Sequence, residues 1–422
     1  MAMRELAFLQ SLDAMSLIVL FWYTTLLEIP RYAIGTVIVS ATTLWKRARP
    51  PIKTNLAVSV VLAGHNEAKS LRACVEAVAE QTIVAELGGI EVIVVDDGST
   101  DRMSEVARQL RGEGKVDEVL RLEQRGGKSA AVNLGISACT GDIVVISDID
   151  TTFDRDAFAE LLGYFSDPRV GAVSGNLGVR NTSASLITRH QAIEYAIGLS
   201  LGRCIADSLG TLTVVSGAFG AFRHAAIDQV GGQDVEVGED ADLTMKLRRA
   251  GWRIRFAPEA HALTDVPETV SAFIAQRLRW DRGLITIWMR KFRGALDPRQ
   301  STFRLIDVVA SIDVIGFQVL LALAFPLYLV WLYYYFGGFA GTIIGATLIG
   351  YVVLNLLSFA AAAVTGMPTP FRLVLYLPLY TILQVSLMRV IRIIAIAQEL
   401  IFRSSYRDPY VPARVMSQVE IV

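Results

Sequence analysis

Cysteine and histidine are scarce in this chain: of 422 residues, three are cysteine (Cys74, Cys139, Cys204) and four are histidine (His65, His190, His224, His261). The cysteines are odd in number, far apart and without metal-ligand spacing, which argues against a disulfide framework and suits a reducing compartment. The histidines are scattered, so no zinc site is expected. A surplus of one charge is missing as well. Forty Lys and Arg against 41 Asp and Glu leave a net charge of −1, which gives no pull toward nucleic acid. There is no Gly-x4-Gly-Lys phosphate loop, no internal repeat and no low-complexity tract.

Apolar residues, by contrast, are abundant. They make up 53% of the chain and its mean hydropathy is +0.44, too high for an ordinary soluble enzyme. The excess sits at the two ends. Residues 14–27 and 32–45 are apolar apart from Glu28, Pro30 and Arg31 between them, and 314–336 and 339–364 are long, uncharged and sufficient to cross a bilayer. A shorter run, 373–388, leads into Arg389 and Arg392 and can span or lie in the interface. A signal peptide is not expected at the start, because no small-residue cleavage site follows the first apolar run. Lys46, Arg47, Arg49 and Lys53 follow the first segment, so residue 50 onward is expected on the cytoplasmic side, after one N-out span within 16–40.

Between residues 53 and 300 the pattern alternates strands and helices, which predicts a mostly parallel sheet. Strands are expected at 56–62, 91–95 and 143–147, with helices at 70–82, from Lys128, from Glu239 to the Gly251 stop, and at 271–292. In an open α/β sheet, ligands bind at the carboxyl ends of the strands, and acids collect there. Asp148-Ile149-Asp150 can hold Mg²⁺ or Mn²⁺ through oxygen ligands, or it is a solvated strand-to-helix turn in which Asp150 or Asp154 serves as a cap. Asp96-Asp97-Gly98 is a nucleotide clasp or a plain turn. Gly126-Gly127-Lys128 lets backbone and a cation approach a diphosphate. Residues 214–223 are a strand-like run broken by glycine, in which Ser216-Gly217-Ala218 lets an acceptor lie against the backbone, or marks a bulge. Glu239 and Asp240 complement a helix dipole, or Asp240 is a general base. The helix over 271–292 carries Arg277, Arg279, Arg282, Arg290 and Lys291 among apolar residues and is expected on the inner leaflet. Its Gln276-Arg277-Leu278-Arg279-Trp280 motif adds an aromatic ring that can stack on a sugar or a cation.

Four of these pieces, Val95-Asp96-Asp97-Gly98-Ser99, Asp148-Ile149-Asp150, Gly238-Glu239-Asp240 and Gln276-Arg277-Leu278-Arg279-Trp280, occur in that order and are followed by apolar spans. In this the chain resembles the processive family 2 glycosyltransferases: the poly-N-acetylglucosamine, chitin-oligosaccharide, hyaluronan and cellulose synthases. The resemblance covers 53–295 well and the ends only in layout. It implies an α/β GT-A nucleotide-sugar domain flanked by transmembrane and amphipathic interfacial helices. The divisions are 1–50 (transmembrane), 51–270 (cytoplasmic catalytic domain), 271–300 (interface helix), 301–403 (transmembrane) and 404–422 (tail). It implies a multi-pass protein of the plasma or bacterial inner membrane that polymerises a β-linked glycan from UDP-GlcNAc or UDP-glucose with inversion and translocates it. The alternative is transfer of one sugar to a lipid-linked acceptor.

The resemblance also assigns residues. Asp240, with Glu239, is the catalytic pair. Asp96, Asp97, Glu67, Lys128, Asp148 and Arg279 serve the donor, and Asp97 holds the uridine. Gln276, Trp280, Ser216 and Gly217 serve the acceptor, and Asp150 with Asp148 holds Mg²⁺ or Mn²⁺. Partners are the UDP-sugar, the growing glycan, the lipid bilayer and an accessory export or activating protein, with no nucleic acid. Two departures from the family stand out: the first strand ends in Ala63-Gly64-His65-Asn66-Glu67, and Asp281 follows Trp280, which bears on the acceptor site.

Overall fold

The computed structural model describes residues 13–24, 35, 37, 56–235, 237–300, 303–364, 369–408 and 411–417. Most of the expected 16–40 span and the Lys46, Arg47, Arg49, Lys53 cluster lie outside the described residues, as do Pro409 and Tyr410.

Residues with β-branched, apolar side chains in unbroken runs form the centre of the molecule. They build β1 (Val58–Gly64), β2 (Glu91–Asp96), β3 (Glu118–Arg121) and β4 (Ile143–Asp148). The remaining strands are β5 (Thr152–Phe153), β6 (Val170–Val179), β7 (Phe219–Arg223) and β8 (Arg253–Thr264). All pair into one sheet in the order β3-β2-β1-β4-β7-β6-β8-β5. A strand's side chains alternate between its faces, so the central strands feed two cores. Val60, Leu62 and Val145 join Leu71, Val75 and Phe158 on one face, while Val61, Ala63 and Val144 join Val132, Ile136, Leu243 and Leu247 on the other.

The expected strands 56–62, 91–95 and 143–147 and the helices Leu71–Ala79, Lys128–Ala138 and Glu239–Arg249 are present within a few residues. The sheet is mostly parallel, as expected, but mixed: β1, β2, β3, β4, β6 and β8 run in one sense, whereas β7 runs antiparallel to both β4 and β6, and β5 antiparallel to β8. The physical reason lies in β7. It pairs Phe219 with Ser147, so the chain enters it from the carboxyl edge of β4 and brings Ser216-Gly217-Ala218 to that edge. Ser147 Oγ fixes the approach by donating to the Ala218 carbonyl at 2.8 Å.

Beyond residue 300, two helical runs are long and apolar enough to cross a membrane. They are Leu305–Ala363, with a mean hydropathy of 2.2 in its most apolar stretch, and Phe371–Phe402, with 1.7. The first is divided by a short turn, Gly337–Phe339, whose Gly337 takes φ +48°. The second breaks at Ser386 into Leu377–Val385 and Leu387–Phe402. The expected basic interface helix is Val270–Ile285, continued by a π-helical turn Thr286–Lys291. Several of its cations are paired with acids elsewhere in the fold. Arg277 is buried against Glu194, Arg290 pairs with Glu399, and Arg282 pairs with Asp408 at 3.3 Å. Asp281, expected to bear on the acceptor, instead ties this helix to Arg392 of Leu387–Phe402 at 3.1 Å.

Gly141 sets the level of β4 against β1. Its N–H donates to Ser59 Oγ at 2.8 Å, and a Cβ there would sit 2.6 Å from the Ser59 nitrogen and 2.9 Å from the Val58 carbonyl carbon. Backbone cannot yield as a flexible side chain can. Gly141→Ala is therefore expected to destabilise the chain by about 1–3 kcal/mol, read as a lower unfolding temperature. Gly112→Ala, which meets open space, should leave that temperature unchanged or raise it.

Candidate active site

Three parallel strands end level with one another. Gly64 of β1 pairs with Asp96 of β2, and Ala63 pairs with Asp148 of β4. Two acids thus flank the end of the central strand, where the strand order diverges to either side of β1. Their environments differ sharply. Asp96 is fully buried and accepts from the Ser99 N–H at 2.7 Å and from the Ser104 hydroxyl. Burial pushes its carboxyl up, but those hydrogen bonds and Arg121 outweigh burial and hold it below the usual carboxylate range. It shapes the turn and has no face toward a ligand.

Asp97 next to it is also buried. Its carboxylate accepts from the N–H groups of Gly126, at 2.5 Å, and Gly127, at 2.9 Å. It therefore anchors the glycine loop that opens the Lys128–Ala138 helix. His65, whose place the sequence left open, reaches the Asp97 carbonyl with Nδ1 at 2.9 Å, and Asn66 Oδ1 accepts from the N–H of Thr100 at 2.8 Å. The departure at Gly64-His65-Asn66 is thus a clamp between two strand ends.

Lys128 is the hub. Its Nζ lies 2.5 Å from Asp148 Oδ1 and 3.9 Å from Glu239 Oε1. A Cβ on Gly217 would stand 3.2 Å from that Nζ and 3.6 Å from Asp240 Cβ, so the bare glycine is what lets loop, lysine and helix terminus meet. Burial alone would lower the lysine's pKa. Asp148, Glu239 and Asp240 reverse that and hold it above the ordinary lysine value, so it stays charged. Glu239 is shifted up, first by burial and then by Asp240, with Lys128 and Arg279 opposing. Gly126, Gly127, Lys128, Glu239 and Arg279 line one cleft, which Asp408 and Val411 of the tail close from above. Arg414 donates to the Arg125 carbonyl at 2.7 Å and extends this cover. About 30 Å³ remains free inside, far below the roughly 300 Å³ of a small ligand site.

Asp150 stands on the far side of Asp148. Burial and the Asp148 charge raise its carboxyl above the usual range, against Lys128. Glu67 is raised likewise, by burial and then by Asp150, Asp148 and Asp101. Acids that repel one another in a half-buried site are short of positive charge, which a divalent cation supplies. Among the described residues, no group of three or more His, Cys, Asp or Glu side chains is placed to hold a metal unaided. The fit is to a divalent cation held by one or two carboxylates and completed by other oxygen ligands.

The motif of the interface helix divides in two. Arg279 reaches the cleft, while Arg277 is buried, bonds Glu194, donates to Gln276 Oε1 at 2.6 Å and stacks 4.1 Å over Trp280. Trp280 keeps 39% of its surface exposed. Ser216 is buried, and its hydroxyl accepts from the Ala218 N–H at 3.3 Å, so it closes the turn. Two further arginines have no motif to announce them. Arg180 donates to the Asp150 carbonyl, and Arg203 donates to Ser174 Oγ at 3.2 Å within the field of Asp240. Arg203 follows a π-helical stretch, Tyr195–Leu201, of the kind that often marks a functional site.

The raised carboxyls make a stability prediction. Asp150 and Glu67 bind protons more tightly folded than unfolded. Their penalty is therefore absent below the ordinary aspartate value of 3.8 and grows as pH rises through the raised folded value. Asp150→Asn should raise the unfolding temperature near neutral pH, and the advantage should vanish in acid. Mn²⁺ should raise the wild-type unfolding temperature and the variant's much less.

Comparison with known proteins agrees with this geometry. Residues 59–231 match the Glycosyl transferase family 2 domain. The poly-beta-1,6-N-acetyl-D-glucosamine synthase of Staphylococcus aureus (strain COL) is 30% identical over 269 residues, 63% of this chain and 63% of that protein. The synthase of the same name from Staphylococcus epidermidis is 30% identical over 262 residues, 60% of this chain and 61% of its own length. The chain thus matches less than two thirds of the length of these relatives. A mannosyltransferase from Pyrobaculum calidifontis, solved in complex with GDP-Man and Mn²⁺, shares the fold, with a TM-score of 0.59 at 21% identity over 80% of this chain and 96% of its own. With its mixed open sheet and acids at the strand ends, this chain shares its fold with that mannosyltransferase, and its residues 59–231 are similar to the glycosyl transferase family 2 domain.

Proposed function

We propose that this chain is a membrane-embedded, inverting synthase that extends a β-linked glycan from UDP-GlcNAc and passes it across the bilayer. The observation that carries the reading is the meeting of Lys128, Asp148, Glu239 and Asp240 beside Gly217 at the carboxyl edge of the sheet. Two cations, Lys128 and Arg279, face one cleft with Glu239 at a helix terminus, and Asp240 follows it in the same turn. That is the charge arrangement which transfer from a nucleotide diphosphate needs. UDP-GlcNAc is favoured over UDP-glucose because the 30% identical relatives are poly-N-acetylglucosamine synthases by name.

In this reading Asp240 takes the proton of the acceptor hydroxyl, and Glu239, its pKa raised by burial, stays beside it to tune that carboxylate. Lys128 and Arg279 meet the charge that develops on the departing diphosphate. Asp150, with Asp148, would hold Mg²⁺ or Mn²⁺, which would supply Lewis-acid neutralisation of that same charge. Asp97 acts through the Gly126-Gly127 loop, whose backbone approaches the phosphates, and reaches the uridine only once the loop shifts. The exposed face of Trp280 stacks on the acceptor sugar, with Gln276 beneath it. One-step displacement by a single base inverts the anomeric centre, and an α-linked donor then gives a β-linked product. The 51–270 region is cytoplasmic, the helices after 301 cross the inner membrane, and 271–300 joins them.

Two measurements test this. UDP and GDP release by the detergent-purified chain, over a panel of nucleotide sugars with Mg²⁺ or Mn²⁺, should be driven by UDP-GlcNAc. Asp240→Asn should lower it about 10²-fold or more. Full release by that variant would remove Asp240 as base. Gly217→Ala places a methyl against the flexible end of Lys128, so it should fold with an unchanged unfolding temperature yet release UDP more slowly.

A further inference from the structure

The two acids proposed to hold a divalent cation repel each other, so the fold must keep them side by side. Asp148 closes β4, and Ile149 plugs the turn that follows into the core, where a Cβ on Gly64 would stand 2.6 Å from its Cδ1. Asp150 lies beyond that plug, and both burial and the Asp148 charge work against its carboxylate. Thr151 Oγ1 donates to its Oδ1 at 3.3 Å, and Thr264 is a second donor to the carboxyl. Its backbone is held separately. Arg180 Nη2 donates to the Asp150 carbonyl and, at 2.9 Å, to the Leu263 carbonyl. One nitrogen thus ties the turn after β4 to the end of β8.

Arg180 can do this because its own base is fixed. It follows Val179, which pairs with Thr264, and its N–H donates to the Thr264 carbonyl at 3.0 Å. One residue on, Asn181 Nδ2 donates to the Val266 carbonyl at 2.9 Å, and its Oδ1 accepts from the Val266 N–H at 3.0 Å. The guanidinium also pairs with Asp265, whose Oδ1 is 3.8 Å from Nε. These anchors all lie where β6 and β8 end, not on the glycine loop that carries Lys128.

We propose that Arg180 is a positioning residue for the divalent cation: by gripping the Asp150 carbonyl it keeps that carboxylate beside Asp148, so that both can serve one ion. The link is geometric. A peptide group is planar, so a fixed carbonyl fixes the whole unit after Asp150 and leaves its Cα little freedom to swing the side chain away. Groups that orient a metal's ligands in this way commonly change its affinity by roughly 10–100-fold. In this role Arg180 touches neither the ion nor the sugar. The inference rests on the metal role proposed for Asp150 and Asp148, and it is independent of the donor sugar and of the membrane reading.

The test is thermal unfolding of the full chain in detergent, titrated with Mn²⁺ in the presence of UDP, beside the Mn²⁺ dependence of UDP release. Arg180→Gln, at an exposed position, should fold and should raise the Mn²⁺ concentration at half-maximal stabilisation about tenfold or more. Arg180→Lys, which keeps the charge and an amino donor, should regain most of that loss, and Asp265→Asn should show none. Release by Arg180→Gln should need correspondingly more Mn²⁺ yet approach the wild-type rate once Mn²⁺ saturates, a split that general loss of structure would not give. An Arg180→Gln chain with the wild-type Mn²⁺ midpoint would overturn the inference. A wild-type chain that Mn²⁺ does not stabilise, or Asp150→Asn stabilised as fully as wild type, would overturn the metal assignment and this inference with it.

Discussion

The charge of Lys128 is the constraint on which the candidate site depends. Four carboxylates, Asp148, Asp150, Glu239 and Asp240, surround it from one strand-end turn and one helix terminus. Without a cation between them their mutual repulsion would force the strand ends apart or protonate the acids. The lysine can reach them because Gly217 leaves space, and because Asp97 pins the Gly126-Gly127 loop from which the Lys128–Ala138 helix starts. The site thus holds one positive charge fixed by the fold and a shortage around Asp150 and Glu67 that a divalent ion and its phosphates fit.

The same carboxyl edge explains why the sheet must be mixed. A purely parallel sheet would bring the loop after each strand to this edge, but never the loop before one. β7 enters in the opposite sense, so Ser216-Gly217-Ala218 arrives beside Asp148 while β6 and β8 continue the sheet beyond it. The Glu239–Arg249 helix then packs Leu243 and Leu247 on the central strands and points its acidic first turn at the lysine. Arg277, Asp281, Arg282 and Arg290 bind the interface helix to the domain on one side and to Leu387–Phe402 and the tail on the other. The carboxyl edge of the sheet is thus tied to the apolar helices by ion pairs.

The central strands were legible because buried parallel strands read as continuous β-branched runs, and 56–62, 91–95 and 143–147 are such runs. The acids were legible because they interrupt those runs at their ends. β7 was legible as part of the glycine-broken strand-like run 214–223, but its direction was not, since five residues with a glycine inside carry none. Ser216 and Asp97 looked like ligand contacts, yet their side chains are engaged by neighbouring backbone, a competition that only tertiary geometry reveals. The interface helix misled in another way. Its arginines form a basic stripe in sequence, but their partners Glu194, Glu399 and Asp408 lie 83 to 126 residues away. Arg180 and Arg203 sit in no motif, and nothing local distinguishes them from surface arginines.

The most direct test of the central claim is the length and linkage of the product. The purified chain, reconstituted in lipid vesicles and given UDP-GlcNAc with Mg²⁺ or Mn²⁺, should yield a long β-linked N-acetylglucosamine polymer that accumulates inside vesicles whose active sites face outward. A product carrying one added sugar on a lipid would contradict the polymerising account, and a polymer confined to the outer solution would contradict translocation.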